Sequence, residues 1–164
     1  MKKWSSLLLV LFSVTLFAQE NTIPSVNLKT LDGKTFNTSS ITNDGKPVVI
    51  SFWATWCKPC IMELTAIAEN YETWQKETGV VLYAVSIDDS KTMSRVAPFI
   101  NSKGWEYVVL LDPNGDFKRA LNVINVPHTF LVDGKGVIID QHTSYAQGDE
   151  EHLYEKIKAC VKSE

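Results

Sequence analysis

The sequence predicts one α/β domain built on a mixed β-sheet, and three observations carry that prediction. Two nearly continuous apolar runs have strand length, an amphipathic stretch separates them, and hairpin signals lie to either side. Apart from Ser51 and Ser86, residues 48–53 and 80–87 are apolar at successive positions, as strands covered on both faces must be. Between them, residues 60–77 place Ile61, Leu64, Ile67, Ala68, Tyr71 and Trp74 at steps of three and four, which is one face of a helix. Strand, helix and strand in succession make a βαβ unit, so these two strands run parallel.

The remaining elements follow in chain order. Residues 26–30 alternate, Leu31-Asp32-Gly33-Lys34 supplies a turn, and residues 35–37 resume, which is a hairpin signal. Asn43-Asp44-Gly45-Lys46-Pro47 breaks the chain before the first core strand, and Gly79 stops the helix after it. Asp88-Asp89-Ser90 offers caps for a moderately helical stretch over 91–103, in which Pro98 predicts a kink or a late break. A strand over 107–111 ends at Asp112-Pro113-Asn114-Gly115, and a short helix over 116–121 leads to Val126-Pro127. Residues 128–132 and 137–140 form a second hairpin around Asp133-Gly134-Lys135-Gly136. A helix over 149–162 closes the chain with Leu153, Ile157, Cys160 and Val161 on one face.

Composition narrows the function. With 164 residues, 45% apolar and 21% charged, the chain is expected to bury one globular core, which excludes disordered, collagen-like and multi-span membrane classes. Sixteen basic residues against 19 acidic ones, with no basic block, exclude a nucleic-acid partner, which calls for a concentrated positive patch. Residues 1–18 open with Lys2 and Lys3 and continue as a charge-free, mostly apolar run from Trp4 to Phe17, closed by the small Ala18. That run is short of the roughly 20 residues that span a bilayer as a helix. It reads as a secretory signal peptide, leaving a domain over 19–164; the alternative is an uncleaved N-terminal anchor in the inner membrane. Without Lys2 and Lys3 the net charge moves from −3 to −5. The address places the domain in the periplasm, where cysteine pairs can be oxidised.

Three cysteines, Cys57, Cys60 and Cys160, are too few for a disulfide-stapled scaffold. Cys57 and Cys60 sit between a buried strand and an amphipathic helix. There, free N–H groups and the helix dipole favour a thiolate, and Lys58 adds a positive charge. Pro59 suits a first helical turn, where its missing N–H costs nothing. Cys57 is expected to be the exposed nucleophile and Cys60 the buried resolving thiol of an exchange cycle. Half of a zinc site would need two more ligands, and only Cys160 and three scattered histidines exist. A structural disulfide at this spacing would close no useful loop. Cys160 falls on the apolar face of the last helix and reads as a core thiol.

Three segments carry a family resemblance. They are Phe52-Trp53-Ala54-Thr55-Trp56-Cys57-Lys58-Pro59-Cys60, Leu111-Asp112-Pro113-Asn114-Gly115 and Val126-Pro127-His128-Thr129-Phe130-Leu131-Val132-Asp133-Gly134. Together, over about residues 22–160, they resemble the TlpA/ResA-like thiol–disulfide oxidoreductases of the thioredoxin superfamily. The resemblance implies a thioredoxin-like fold, a central mixed β-sheet flanked by helices with an added N-terminal β-hairpin. It implies that Pro127 is a cis-proline facing the cysteine pair, and that the backbone of Val126 pairs with an extended substrate segment. Trp56, beside Lys58 and Pro59, would pack beside the cysteines and shape the docking surface, whereas Trp53 reads as core. Ser51 stands where thioredoxin carries a buried aspartate. Glu63 matches an acidic position of the branch, one turn beyond Cys60, and would accept its proton directly or through water; its alternative is a solvated helix glutamate. His128 replaces the usual threonine and reads either as a pH-dependent tuner of the thiolate or as an ordinary strand histidine. His142 and His152 carry no recognisable arrangement.

The function the resemblance implies is a periplasmic reductant of protein disulfides. Apocytochrome c or other envelope proteins would be the substrates, and a membrane or periplasmic thiol the electron donor. It implies a monomer with no cofactor and no metal. Three alternatives stand beside it: a disulfide oxidase or isomerase, a copper chaperone using the cysteines with His128, and a peroxiredoxin. The last expects a Pro-xxx-Thr-xx-Cys context that Cys57 lacks.

Overall fold

The computed structural model describes residues 21–162, so the signal-peptide reading of 1–18 lies outside the described residues. β1 (Asn27–Thr30) and β2 (Thr35–Asn37) form the expected N-terminal hairpin. β3 (Val48–Trp53), α1 (Lys58–Thr78) and β4 (Val81–Ser86) form the βαβ unit, with β3 and β4 parallel. α2 (Val96–Lys103) and β5 (Val108–Leu111) follow, then α3 (Asp116–Ala120), β6 (His128–Val132), β7 (Ile138–Thr143) and α4 (Asp149–Lys162). The seven strands make one mixed sheet in the order β2-β1-β5-β4-β3-β6-β7. Its centre is the parallel β5-β4-β3, and antiparallel hairpins extend it on both sides, β1 against β5 and β6 against β3. This is the thioredoxin-like fold with an added N-terminal hairpin.

The period-two alternation of each strand divides the core between the two faces of the sheet. Val49 and Trp53 of β3, Leu82 and Ala84 of β4 and Leu131 of β6 pack with Leu64 and Ile67 of α1 and with Leu153 and Ile157 of α4. The intervening Val48, Ile50 and Phe52 pack on the other face with Val85, Leu110, Phe117 and Phe130. Helices on both faces explain why β3 is buried at all six positions. α1 and α4 lie side by side, with the Trp74 and Tyr154 rings stacked 4.9 Å apart. α1 ends where Gly79 takes a left-handed φ of 69° and returns its N–H to the Gln75 carbonyl. That left-handed φ is what calls for glycine there.

The structure departs from the expectations in three places. A 3-10 turn over Met93–Arg95 precedes α2, which begins only at Val96. Pro98 therefore sits in the first helical turn, where its missing N–H removes no helical hydrogen bond, and the expected kink does not arise. Val161 is exposed, although its spacing put it on the buried face of α4. β7 continues past Asp140 through Gln141 and His142 to Thr143, three residues beyond the expected end. Those residues are polar because β7 is the last strand of the sheet, yet their backbone still pairs with β6, His128 opposite Thr143 and Thr129 opposite His142.

Phe52 has no exposed surface and packs between Phe117 and Phe130, at ring-centroid distances of 5.3 and 6.0 Å. Phe52→Ala is expected to cost about 3–5 kcal/mol. Urea unfolding of the disulfide-intact protein measures this, and a cost below about 1 kcal/mol would contradict the packing described.

Candidate active site

β3 delivers the chain to the site. After Trp53 the backbone turns, with the Cys57 N–H bonded to the Ala54 carbonyl at 3.0 Å, and α1 starts at Lys58. Cys57 is the N-cap, and its Sγ accepts the Cys60 N–H at 3.3 Å. A sulfur thus takes the place usually held by a serine or aspartate oxygen at a helix start. Cys57 and Cys60 are joined as a disulfide, with their Cα atoms 5.3 Å apart. Any negative charge that develops on Cys57 Sγ faces the N-terminal dipole of a 21-residue helix and the Cys60 N–H.

The expected exposure of Cys57 needs correction. Its residue surface is only 5% exposed, because its sulfur is turned in to cap α1; Cys60 is 0% exposed. The accessible sliver still belongs to Cys57. Around it Lys58 and Pro59 are exposed, and Trp56 is 62% exposed, so the indole stands in solvent rather than packed down beside the sulfurs.

Two strands fix the surroundings. In the antiparallel register of β3 and β6, Phe52 lies opposite His128, so Val126 and Pro127 arrive at the end of the sheet from which Cys57 departs. The Val126–Pro127 peptide is cis. Val126 is half-buried between the two cores, and Pro127 is buried. Just past β4, fully buried Asp88 accepts the Thr55 N–H at 2.8 Å, the Thr55 hydroxyl at 2.6 Å and the Ser86 hydroxyl at 2.9 Å. Asp88 therefore ties down the loop that carries the cysteines. By its residue type Asp88 reads as a helix cap; its position just past the C-terminal end of a core parallel strand is the signal for the tethering role.

Glu63 lies one turn along α1 from Cys60. It is 1% exposed, which overturns the alternative of a solvated helix glutamate. Thr129 Oγ1 lies 2.9 Å from Glu63 Oε1 and 3.1 Å from Ser51 Oγ. A hydroxyl has one proton to give, so Thr129 donates to the carboxyl group and accepts from Ser51. His142 Nε2 lies 2.9 Å from the same Oε1, and Glu63 Oε2 is buried without a partner. The Tyr107 hydroxyl donates to the Leu64 carbonyl at 2.6 Å; burial, then Tyr71 and Glu63 nearby, hold its pKa above the ordinary tyrosine value. Ser51 thus belongs to the hydrogen-bonded surroundings of the carboxyl group, in a place where thioredoxin has a carboxylate.

His142 was missed because β7 was expected to end two residues before it. His128 stacks on Phe130 at 4.4 Å, and its Nε2 lies 2.9 Å from Gln141 Oε1. Adjacent in β6, Thr129 turns to Glu63, whereas His128 turns to the Phe130 face, apart from the Glu63 cluster. Cys160 is buried on α4. Among the described residues no three His, Cys, Asp or Glu side chains are grouped to hold a metal ion, so the copper-chaperone alternative has no donor set.

Comparison with known proteins agrees with this geometry. The AhpC/TSA family matches residues 20–141. The thioredoxin-like protein YneN of Bacillus subtilis is 36% identical over 122 residues, 73% of this chain and 68% of that protein. The thiol–disulfide oxidoreductase ResA of the same organism is 34% identical over 116 residues, 71% of this chain, and the match spans 62% of its length. The solution structure of a thioredoxin-like protein from Porphyromonas gingivalis is 51% identical with a TM-score of 0.78, covering 88% of this chain and 94% of that one. Ile50 and Ala54 occupy the positions where the peroxiredoxin context needs proline and threonine before the cysteine.

Asp88→Ala is expected to leave the Thr55 N–H without its charged acceptor. Its hydrogen exchange should then accelerate by about 10- to 100-fold, matching about 1.5–3 kcal/mol for a bond to a charged group. Unchanged protection at Thr55 would contradict the tethering role.

Proposed function

The chain belongs to the AhpC/TSA family and, within the thioredoxin superfamily, to the ResA-like thiol–disulfide oxidoreductases, and from that premise we propose that it works outside the cytoplasm as a reductant of protein disulfides. The observation that carries the reading is the Cys57–Cys60 disulfide at the N-terminus of α1, with a buried carboxyl group one turn below it.

In the reduced protein, the Cys57 thiolate attacks a substrate disulfide and forms a mixed disulfide, expelling one substrate sulfur. Cys60 gives its proton to Glu63, attacks Cys57 Sγ and expels the second substrate sulfur, leaving the pair oxidised as it is in the structure. A membrane or periplasmic thiol donor restores the dithiol. The substrate docks in extended form along the Val126 backbone, beside Pro127, with Trp56, Lys58 and Pro59 forming the exposed rim. Envelope proteins, apocytochrome c among them, fit this reading, and the protein acts as a monomer. The charge pattern of residues 1–18 supports export to the periplasm by a cleaved signal peptide.

Equilibration with glutathione tests the direction of flux. A reductant should have a potential nearer to about −270 mV, as in thioredoxin, than to about −120 mV, as in a strong oxidant. A value at the upper end would make the protein an oxidase. Glu63→Gln should slow collapse of the Cys57 mixed disulfide by about 100-fold while leaving the first attack unchanged, which stopped-flow kinetics would resolve.

A further inference from the structure

His142 Nε2 lies 2.9 Å from Glu63 Oε1, and nothing in the exchange step above uses it. The carboxyl group is otherwise poorly provided for. It receives one hydroxyl, from Thr129, and its second oxygen is buried without a partner. An ionised carboxylate in such a place needs a compensating charge. A base that takes up a proton at each turnover also needs a route by which charge can leave.

The groups packed around Glu63 offer few such routes. Ser51 and Thr129 lead into the core, and both are 0% exposed. Tyr107 is committed to the Leu64 carbonyl, and its burial favours the protonated hydroxyl. Tyr145 lies within electrostatic reach of Glu63 and donates to Glu150. The face at Cys57 is covered whenever a substrate is joined there. His142 differs: its side chain is 26% exposed and lines a cleft of about 520 Å³ with Asp149, His152, Glu155 and Lys156 of α4.

We propose that His142 is a positioning residue that balances the charge of Glu63 and lets the proton out through this cleft. The inference rests on Glu63 acting as the base for Cys60. Before resolution the pair is carboxylate and imidazolium. The Cys60 S–H bond breaks and its proton goes to the open Glu63 Oε2. The Cys60 sulfur bonds to Cys57 Sγ, and the substrate sulfur leaves with the electron pair of the broken S–S bond. With its counter-charge gone, the imidazolium sheds a ring proton to water in the cleft. The buried pair is neutral overall before and after, so no uncompensated charge is created in the core.

Single-turnover collapse of the mixed disulfide formed with a nitrobenzoate disulfide reagent tests this across the histidine titration range. His142→Gln keeps a donor toward Glu63 but cannot carry a charge. It should slow collapse on the order of tenfold and flatten the pH profile, with the first thiolate release unchanged. A normal rate and profile in His142→Gln, with Glu63→Gln slowed, would overturn the role of His142 and leave Glu63 as the base. A slowed His142→Gln with the wild-type profile would show a structural role only and also overturn it. If Glu63→Gln itself is unaffected, the base reading fails and this one with it. Should the His142 variant not fold, nitrogen-15 spectra of the His142 ring in wild type and Glu63→Gln decide. The ring signals should respond to that substitution and to reduction of the disulfide, and indifference to both would overturn the proposal.

Discussion

The interaction on which the site depends is the hydrogen bond between the sulfur of Cys57 and the N–H of Cys60 at the start of α1. A helix begins with N–H groups that have no partner inside the helix, and here one is given to a sulfur. In the reduced protein the same N–H would face a thiolate on Cys57 and favour it. Much of the surrounding fold places this terminus. Parallel pairing of β3 and β4 directs α1 back over one face of the sheet, and Asp88 at the end of β4 ties the connecting loop. The antiparallel β6 brings Val126 and Pro127 to the same end.

A second constraint acts one turn deeper. Thioredoxin places its buried acid on the strand, but here the corresponding residue is Ser51, and the acid is Glu63 on the helix. Ser51 and Thr129 form a hydroxyl chain to Glu63 from β3 and β6, and His142 approaches from β7. The carboxyl group is thus held by three strands and one helix, which restricts where its oxygens point. On the opposite face of the sheet His128 stacks on Phe130, beside the second core cluster.

Much of this was legible from residues alone, for reasons that differ between elements. The apolar runs of β3 and β4 and the three-and-four spacing of α1 specify their elements because both are set by burial, which hydrophobic pattern records directly. Cys57 and Cys60 were legible because their spacing and their strand-to-helix junction occur together. His142 was not, because an edge strand is held by backbone pairing to β6, and Gln141-His142-Thr143 has no apolar alternation to mark it. Asp88 was half legible: its acidity reads as a cap, but its partners Thr55 and Ser86 meet it only in three dimensions. The inward turn of Cys57 depends on the sulfur capping the helix, a tertiary detail that no spacing encodes.

The central claim is that Cys57 meets the substrate and Cys60 releases it. Expression of Cys60→Ser and Cys57→Ser variants, followed by separation of disulfide-linked species under non-reducing conditions, tests it most directly. Cys60→Ser should accumulate envelope proteins joined through Cys57, and Cys57→Ser should accumulate essentially none, because Cys60 is buried beneath the helix start. Equal trapping by both variants, or trapping by Cys57→Ser alone, would contradict the assignment of the two thiols.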